Sequence, residues 1–429
     1  MVNKKQSSFK VVLAAITGHA LEFYDFTIYA VFAVKIGELF FPNSSEFAQI
    51  LSSLAVFAVG FIMRPVGGVF FGHIGDKFGR RRALIIAVSG MASITFLVGL
   101  LPDYNSIGIA APIILVICRL IQGLCVGGEG AGASIFVLEH LQGIRPGLVG
   151  GIVNAALTLG ILLAILVGMF MNSYFGIDSN GWRYAFMLGG VFGMGSLYLL
   201  LSVSETPIFE QMKAQKQIVE LPIKEVFRTN LKNVILTIAV GGLTGASGYF
   251  VMTYLNVFFK AVMMYDANTA LYYTAIGNLG LVVFLPLMGA LSDRLGYTKT
   301  IALGCVIVLF ASTPIFQLLC SSEVNKIYFG IIALSALVSV IYAPLYPFML
   351  GLFTPEQRYS GIACSLNIGI ALFGGTCSMV CLWLINSTQE PFAAAYYWNF
   401  VSVMFLVTLT LTKPRKVIGY FIPSYKATI

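Results

Sequence analysis

Charge is what this sequence has least of. Only 10% of its 429 residues are Asp, Glu, Lys or Arg, against about 25% in a soluble protein. Hydrophobic residues make up 58%, too many to hide in a soluble core of this size, so the solvent implied is a bilayer. The long apolar runs lack the polar/apolar alternation of barrel strands. A spanning segment must then satisfy its own backbone hydrogen bonds as a helix. The seven cysteines, at 118, 125, 305, 320, 364, 377 and 381, show no metal-ligand spacing and read as small apolar packing residues. No H-E-x-x-H, G-x-S-x-G or paired-aspartate motif is present, which argues against a membrane-embedded enzyme. The glycine-rich "GGEGAG" (127–132) lacks the G-K-[ST] ending of a phosphate loop. A cleavable signal is also missing: the run after "MVNKKQSSFK" is long and contains His19, Glu22 and Asp25. Neither a metal nor a cofactor is expected.

What the chain does have is twelve apolar runs, at about 11–34, 49–71, 83–101, 109–133, 148–172, 183–203, 233–258, 269–291, 300–319, 327–351, 360–385 and 393–411. Each is close to the roughly 20 residues that cross a bilayer as a helix. They predict an all-α multi-pass membrane protein with twelve transmembrane helices. If both termini are cytoplasmic, twenty of the 26 Lys and Arg fall in cytoplasmic segments, including Lys4, Lys5, Lys10, Arg415, Lys416 and Lys426. That bias fixes the orientation. It also turns the net charge of +8 toward a membrane surface, and no nucleic-acid partner is expected.

The densest cluster of charge, "GHIGDKFGRRR" (72–82), has an echo in "GALSDRLGYTK" (289–299). Gly72 maps to Gly289, Asp76 to Asp293, Gly79 to Gly296 and Arg82 to Lys299, each pair 217 positions apart. Both copies follow the second span of a six-span half. Two pseudo-symmetric bundles are therefore expected, 1–203 and 233–412, related by an axis along the membrane normal. Residues 204–232 form the linker and 413–429 a short tail. The glycines allow tight turns and close helix approach. Asp76 is placed to accept hydrogen bonds from a helix N-terminus or to pair with an arginine. Gly72, Asp76, Gly79, Arg80, Arg81, Arg82, Asp293 and Gly296 are the expected gate of a moving protein.

The G-x-x-x-D-x-x-G-R-R-R loop and its second copy resemble the signature of the major facilitator superfamily. "ALEFYDFTIYA" (20–30), "FIMRPVGGVFFGHIGDKFGRRR" (61–82), "RLIQGLCVGGEGAGASIFVLEH" (119–140), "ETPIF" (205–209) and "LFTPEQRYSGIACSLNIGIALFGG" (352–375) resemble the metabolite–proton symporter family. Its members carry proline and betaine, α-ketoglutarate, citrate or shikimate. "VGGEGAGASIFVLEH" (126–140) and "YFVMTYLNVFFK" (249–260) are most similar to its osmoprotectant carriers. Osmosensing members extend into a C-terminal coiled coil; this sequence shows no heptads after its last span, so the resemblance does not by itself carry osmotic activation. The proline-glycine antiporter motif of span 5 is absent from "NAALTLGILLAILVG" (154–168), which disfavours export by antiport.

Charged groups inside a bilayer are expensive, so each asks for a reason. The first half holds His19, Glu22, Asp25, Arg64, Arg119 and Glu129; the second has little beyond Lys260. His19, Glu22, Asp25 and Tyr29 recur on one helical face, and Arg119 and Gln122 lie one turn apart. In the related sugar porters an acid of span 1 and an arginine of span 4 couple protons to transport. The resemblance therefore implies that Asp25 and Arg119 couple protons, with Glu22 as the alternative acid or a helper. Burial favours the neutral carboxyl and a nearby guanidinium favours the charged one, so the balance can switch as a cavity wets and dries. His19 reads as a satisfied histidine and Arg64 as a bridge between helices. Arg119, Tyr29, Gln122, Glu129, Tyr254 and Tyr342 are the expected substrate contacts, the tyrosines among Tyr24, Phe26, Tyr249 and Tyr346 as walls for a cationic group. "YAPLYP" (342–347) predicts a kinked span 10 at cavity depth.

Together these imply a monomeric carrier in a bacterial inner membrane. It would import a small zwitterion of proline or betaine type by symport with H+, or Na+ as the alternative ion. A dicarboxylate such as α-ketoglutarate or citrate is the second substrate class. It would want a further cation that the second half lacks.

Overall fold

The computed structural model describes residues 8–42, 45–141, 144–176 and 180–413. Lys4, Lys5, Arg415, Lys416 and Lys426 lie outside them. Among the described residues there is no strand, and twelve helices are long and apolar enough to cross a membrane. They are α1 (Phe9–Val31), α2 (Leu51–Lys77), α3 (Arg80–Leu100), α4 (Ala110–His140), α5 (Pro146–Phe175), α6 (Gly181–Leu201), α7 (Leu231–Val262), α8 (Asn268–Leu295), α9 (Tyr297–Leu319), α10 (Val324–Leu350), α11 (Arg358–Thr388) and α12 (Ala394–Thr412). An even number of crossings puts residues 8 and 413 on one side, the terminal face. Between α6 and α7 the chain forms two short surface helices, Pro207–Ala214 and Pro222–Thr229. Large apolar side chains such as Ile62, Phe310 and Leu411 are exposed. A patch of that kind would be a liability in water and is the normal outer face of a protein in lipid.

Apolar surface cannot drive helices together in lipid, so close backbone packing does. A Cβ on Gly67 of α2 would collide with the Leu124 carbonyl of α4, and one on Gly123 with the Gly60 carbonyl. The same device joins the two halves. Gly68 of α2 abuts Ala363 of α11, and Gly151 of α5 abuts Leu285 of α8. Under the two-fold repeat these two interfaces are equivalents of each other.

Three helices depart from regular geometry, and all but the last turn of α7 do so beside the centre of the molecule. The α10 helix breaks at Ala343–Pro344, between Tyr342 and Leu345. Turns of π-helix occupy Phe250–Tyr254 and Phe258–Val262 in α7 and Ile370–Gly374 in α11. Such turns, with an i→i+5 bond, occur mostly where function demands them.

Gly123→Ala should lower stability in detergent by about 1–3 kcal/mol, because the helix pair must shift to admit the methyl group. Gly195→Ala, with nothing within 4 Å of the new Cβ, should be neutral or slightly stabilising. Thermal unfolding of the two purified variants against the parent checks the contrast.

Candidate functional site: a central cavity within a buried ion-pair network

Buried charges lie at three depths. Farthest from the terminal face, Asp25 of α1 meets Arg119 of α4 at 2.8 Å. Thr95 and Gln122 each donate to its other oxygen at 2.8 Å. The Arg119 guanidinium lies 3.9 Å from the Tyr29 ring centroid. Asp25 is thus a fully paired carboxylate inside the first half. Buried ion pairs repay their desolvation only with such extra hydrogen bonds.

At mid-depth, between the halves, is a cavity of about 30 Å³. His19, Glu22 and Arg64 line it from the first half; Thr244, Tyr249, Tyr342, Tyr346 and Asn367 line it from the second. Arg64 donates to Glu22 at 3.0 Å and to the Tyr249 hydroxyl at 3.2 Å. Its guanidinium also lies 5.0 Å and 5.2 Å from the rings of Phe61 and Phe26. His19 Nδ1 is 3.3 Å from the second Glu22 oxygen. The cavity has room for about one or two water molecules, whereas small-molecule sites run to roughly 300 Å³ or more. A solute of more than a few atoms does not fit the cavity in this form.

At the terminal face the halves are locked. Asp76 of α2 accepts from the backbone N–H of Tyr359 at 3.1 Å and of Ser360 at 2.8 Å, the first turn of α11. Its repeat mate Asp293 of α8 accepts from Gly147 at 2.7 Å and Leu148 at 3.0 Å, the first turn of α5. A carboxylate at a helix N-terminus satisfies orphan N–H groups and meets the positive end of the dipole. Around Asp76, Arg80 lies 3.4 Å away and also contacts Glu139 at 3.3 Å. Arg358 of the second half reaches Glu139 at 3.0 Å, and Arg80 donates to the Pro355 carbonyl. Glu205, in the linker, accepts from Arg81 N–H at 3.1 Å, and burial pushes its carboxyl above the ordinary range. Gly79 has φ +116°, a left-handed turn that favours glycine, and a Cβ there would strike Glu205. Arg82 is exposed, and Gly296, at φ +91°, has nothing within 4 Å of where a Cβ would lie.

The expected substrate contacts divide. Tyr342 lines the cavity with Glu22. Arg119, Tyr29 and Gln122 gather around Asp25 instead, outside the lining. Glu22 belongs to Arg64 and His19 rather than to the Asp25 pair. Glu129 is buried behind the wall, against Gly18. Tyr254 packs in the second half on Phe250, Phe258 and Phe316. Arg64, expected as a bridge between helices, does bridge α1 and α7, and both it and His19, expected as a satisfied histidine, line the cavity. The available signal was that Arg64 is as rare as Arg119 at bilayer depth; the neighbouring Pro65 pointed elsewhere.

Two helical halves around a central polar cavity, locked on one side, define a membrane transporter rather than an enzyme. The comparisons agree. Residues 15–375 match the profile of the Major Facilitator Superfamily. The chain is 32% identical to the glycine betaine/proline/ectoine/pipecolic acid transporter OusA of Dickeya dadantii (strain 3937), over 95% of this chain and 84% of the relative. It is 32% identical to the proline/betaine transporter of Escherichia coli (strain K12), over 93% of this chain and 82% of the relative. The fold matches the solved proton:xylose symporter XylE bound to 6-bromo-6-deoxy-D-glucose with TM-score 0.76, 20% identity and coverage of 95% and 96% of the two chains. The chain belongs to the major facilitator superfamily.

Replacing Asp76 by Asn keeps the shape and removes the charge at the α11 N-terminus. Turnover should fall far more than solute affinity, and a cysteine placed at the terminal face should become more reactive. Parallel uptake kinetics, binding and labelling read this out; an equal loss of binding and turnover would count against a gate.

Proposed function

We propose that the protein imports a small zwitterion of proline or betaine type by proton symport with alternating access. The observation that carries this reading is the Glu22–Arg64–Tyr249 link, which spans both halves inside the cavity. A guanidinium, a carboxylate and tyrosine rings within one enclosure complement a solute bearing a carboxylate at one end and an ammonium at the other. Arg64 is the one Lys or Arg among the described lining residues. It suits a single carboxylate better than a dicarboxylate such as α-ketoglutarate or citrate. Arg64, rather than Arg119, is the guanidinium placed to meet the solute. The names of the relatives support the same solute class.

Asp25 is the coupling acid. When it takes a proton, its pair with Arg119 is lost and the α1–α4 contact loosens beside the cavity. The ion is H+, with Na+ the alternative that a sodium-free assay excludes. The protein works as a monomer in a bacterial inner membrane without a cofactor. Both termini and the linker are cytoplasmic, so the locked face is the inner one.

Counterflow in proteoliposomes with proline, betaine and α-ketoglutarate tests the solute. The first two should exchange; exchange of α-ketoglutarate alone would overturn the assignment. Asp25→Asn should reduce uphill uptake to background while solute exchange persists in part. Parent-like accumulation by this variant would refute the coupling role.

A further inference from the structure

Five carboxylic acids are buried among the described residues: Glu22, Asp25, Asp76, Glu129 and Glu139. Four of them meet an arginine: Glu22 with Arg64, Asp25 with Arg119, Asp76 with Arg80, and Glu139 with Arg80 and Arg358. Glu129 does not. Its side chain is fully buried at mid-height of α4, and neither carboxyl oxygen has a hydrogen-bond partner. An ionised carboxylate in that position would have lost its water and gained nothing in return.

The surroundings add no positive charge. The α1 helix presents Gly18, His19 and Glu22 to this part of α4; an ideal Cβ on Gly18 would lie 2.8 Å from Glu129 Oε1. Val88 of α3 and Ser196 of α6 close the same space at Gly18. Cys125 sits one turn earlier on α4, and Tyr359 of α11 and Tyr346 of α10 approach at Gly132 and Gly130. Arg64 is engaged with Glu22 and Tyr249. The one charged neighbour from α1, Glu22, has the same sign.

Yet the carboxyl is a short step from the cavity. Gly130, the next residue, is part of the lining. A Cβ on Gly130 would lie 3.2 Å from His19 Cε1 and 3.7 Å from Glu22 Oε2. Glycine at 18 and 130 leaves the polar atoms of α1 and α4 facing one another with no side chain between. His19 Nδ1 and Glu22 Oε2, 3.3 Å apart, are both without hydrogen-bond partners of standard geometry.

We propose that Glu129 holds the transported proton in this closed state and exchanges it with the cavity through His19 and Glu22. This rests on the proton-symport reading above and adds a second acid to it: protonation of Asp25 loosens the α1–α4 contact, and Glu129 stores the proton that is handed to the cavity. In the step itself the O–H bond at Glu129 breaks and an O–H bond at Glu22 forms, directly or by way of the His19 ring. While Glu22 is neutral its ion pair with Arg64 is suspended, and the guanidinium is free for the solute's carboxylate. The proton then passes from Glu22 to water in the opened cavity, and Glu22 returns to Arg64. One proton moves and no other bond changes; Glu129 is left as the carboxylate, a costly state that draws a new proton back along the same groups once the cavity next meets water.

Infrared difference spectroscopy on the purified protein, together with solute-driven proton flux in proteoliposomes, tests this. The parent should show the C=O stretch of a buried neutral carboxylic acid. Glu129→Gln should lose that band, Asp25→Asn should keep it, and saturating proline or betaine should perturb it. Glu129→Gln should still exchange solute, with proton flux per solute at the level of empty vesicles, and Glu129→Asp should recover part of the flux. Should Glu129→Gln fail to fold, Gly18→Ala crowds the carboxyl without removing it and should shift the band. A parent without the band, a band unmoved by Gly18→Ala, or a Glu129→Gln protein with the parent's ratio of protons to solute overturns the proposal. A parent that transports solute with no proton flux overturns the symport reading itself, and the storage role with it.

Discussion

Two aspartates, each capping a helix of the opposite half, are the contact on which the closed form depends. Asp76 reaches across to α11 and Asp293 reaches across to α5, each through a pair of backbone N–H groups. The bond is made to backbone rather than to a side chain, so it fixes the position of a whole helix end. It is also conditional. The same N–H groups are satisfied equally well by water once the face opens. A lock of this kind holds two rigid bodies without welding them. The glycine contacts along α2–α11 and α5–α8 fit the same logic, since surfaces without side chains can part without unlocking interdigitated groups.

The two latches are not equally dressed. Asp76 stands in a network of Arg80, Glu139 and Arg358, with Glu205 of the linker tied to the start of α3. Asp293 has the Tyr297 hydroxyl, donating at 3.0 Å. The repeat has kept the capping aspartate in both copies and elaborated the ion pairs around one. Glu205 ties the start of the linker to the first half, through Arg81 of α3, and travels with that half.

Deeper in the protein, charge is arranged so that pairing partners can be exchanged. Asp25 and Arg119 are both in the first half, and their contact need not break when the halves part. Arg64 is different, because it holds Glu22 in its own half and Tyr249 in the other. In the proposed cycle, parting the halves would take Tyr249 away and leave a guanidinium with donors to spare in the cavity. Irregular turns of α7 at Phe250–Tyr254, of α10 after Tyr342 and of α11 from Ile370 lie around the same point, as non-helical backbone in a membrane does where it lines a cavity.

The sequence by itself determined the solvent, the number of spans and the repeat. Those follow from local properties: apolar length against bilayer thickness, and a motif that recurs at matched positions. It also marked the charged residues worth asking about, since any charge at bilayer depth is costly wherever it lies. Which charge meets which was decided by tertiary structure alone. Glu22 and Asp25 share one helical face, three residues apart, yet one turns to Arg64 and the other to Arg119. Arg119 looked like a solute ligand and is shut in with Tyr29; Arg64 looked like a bridge between helices, and it is one, at the wall of the cavity. Helical periodicity gives a direction around an axis. A partner requires the tilt and depth of the neighbouring helices, and those are set by where glycines such as Gly67 and Gly123 let backbones touch.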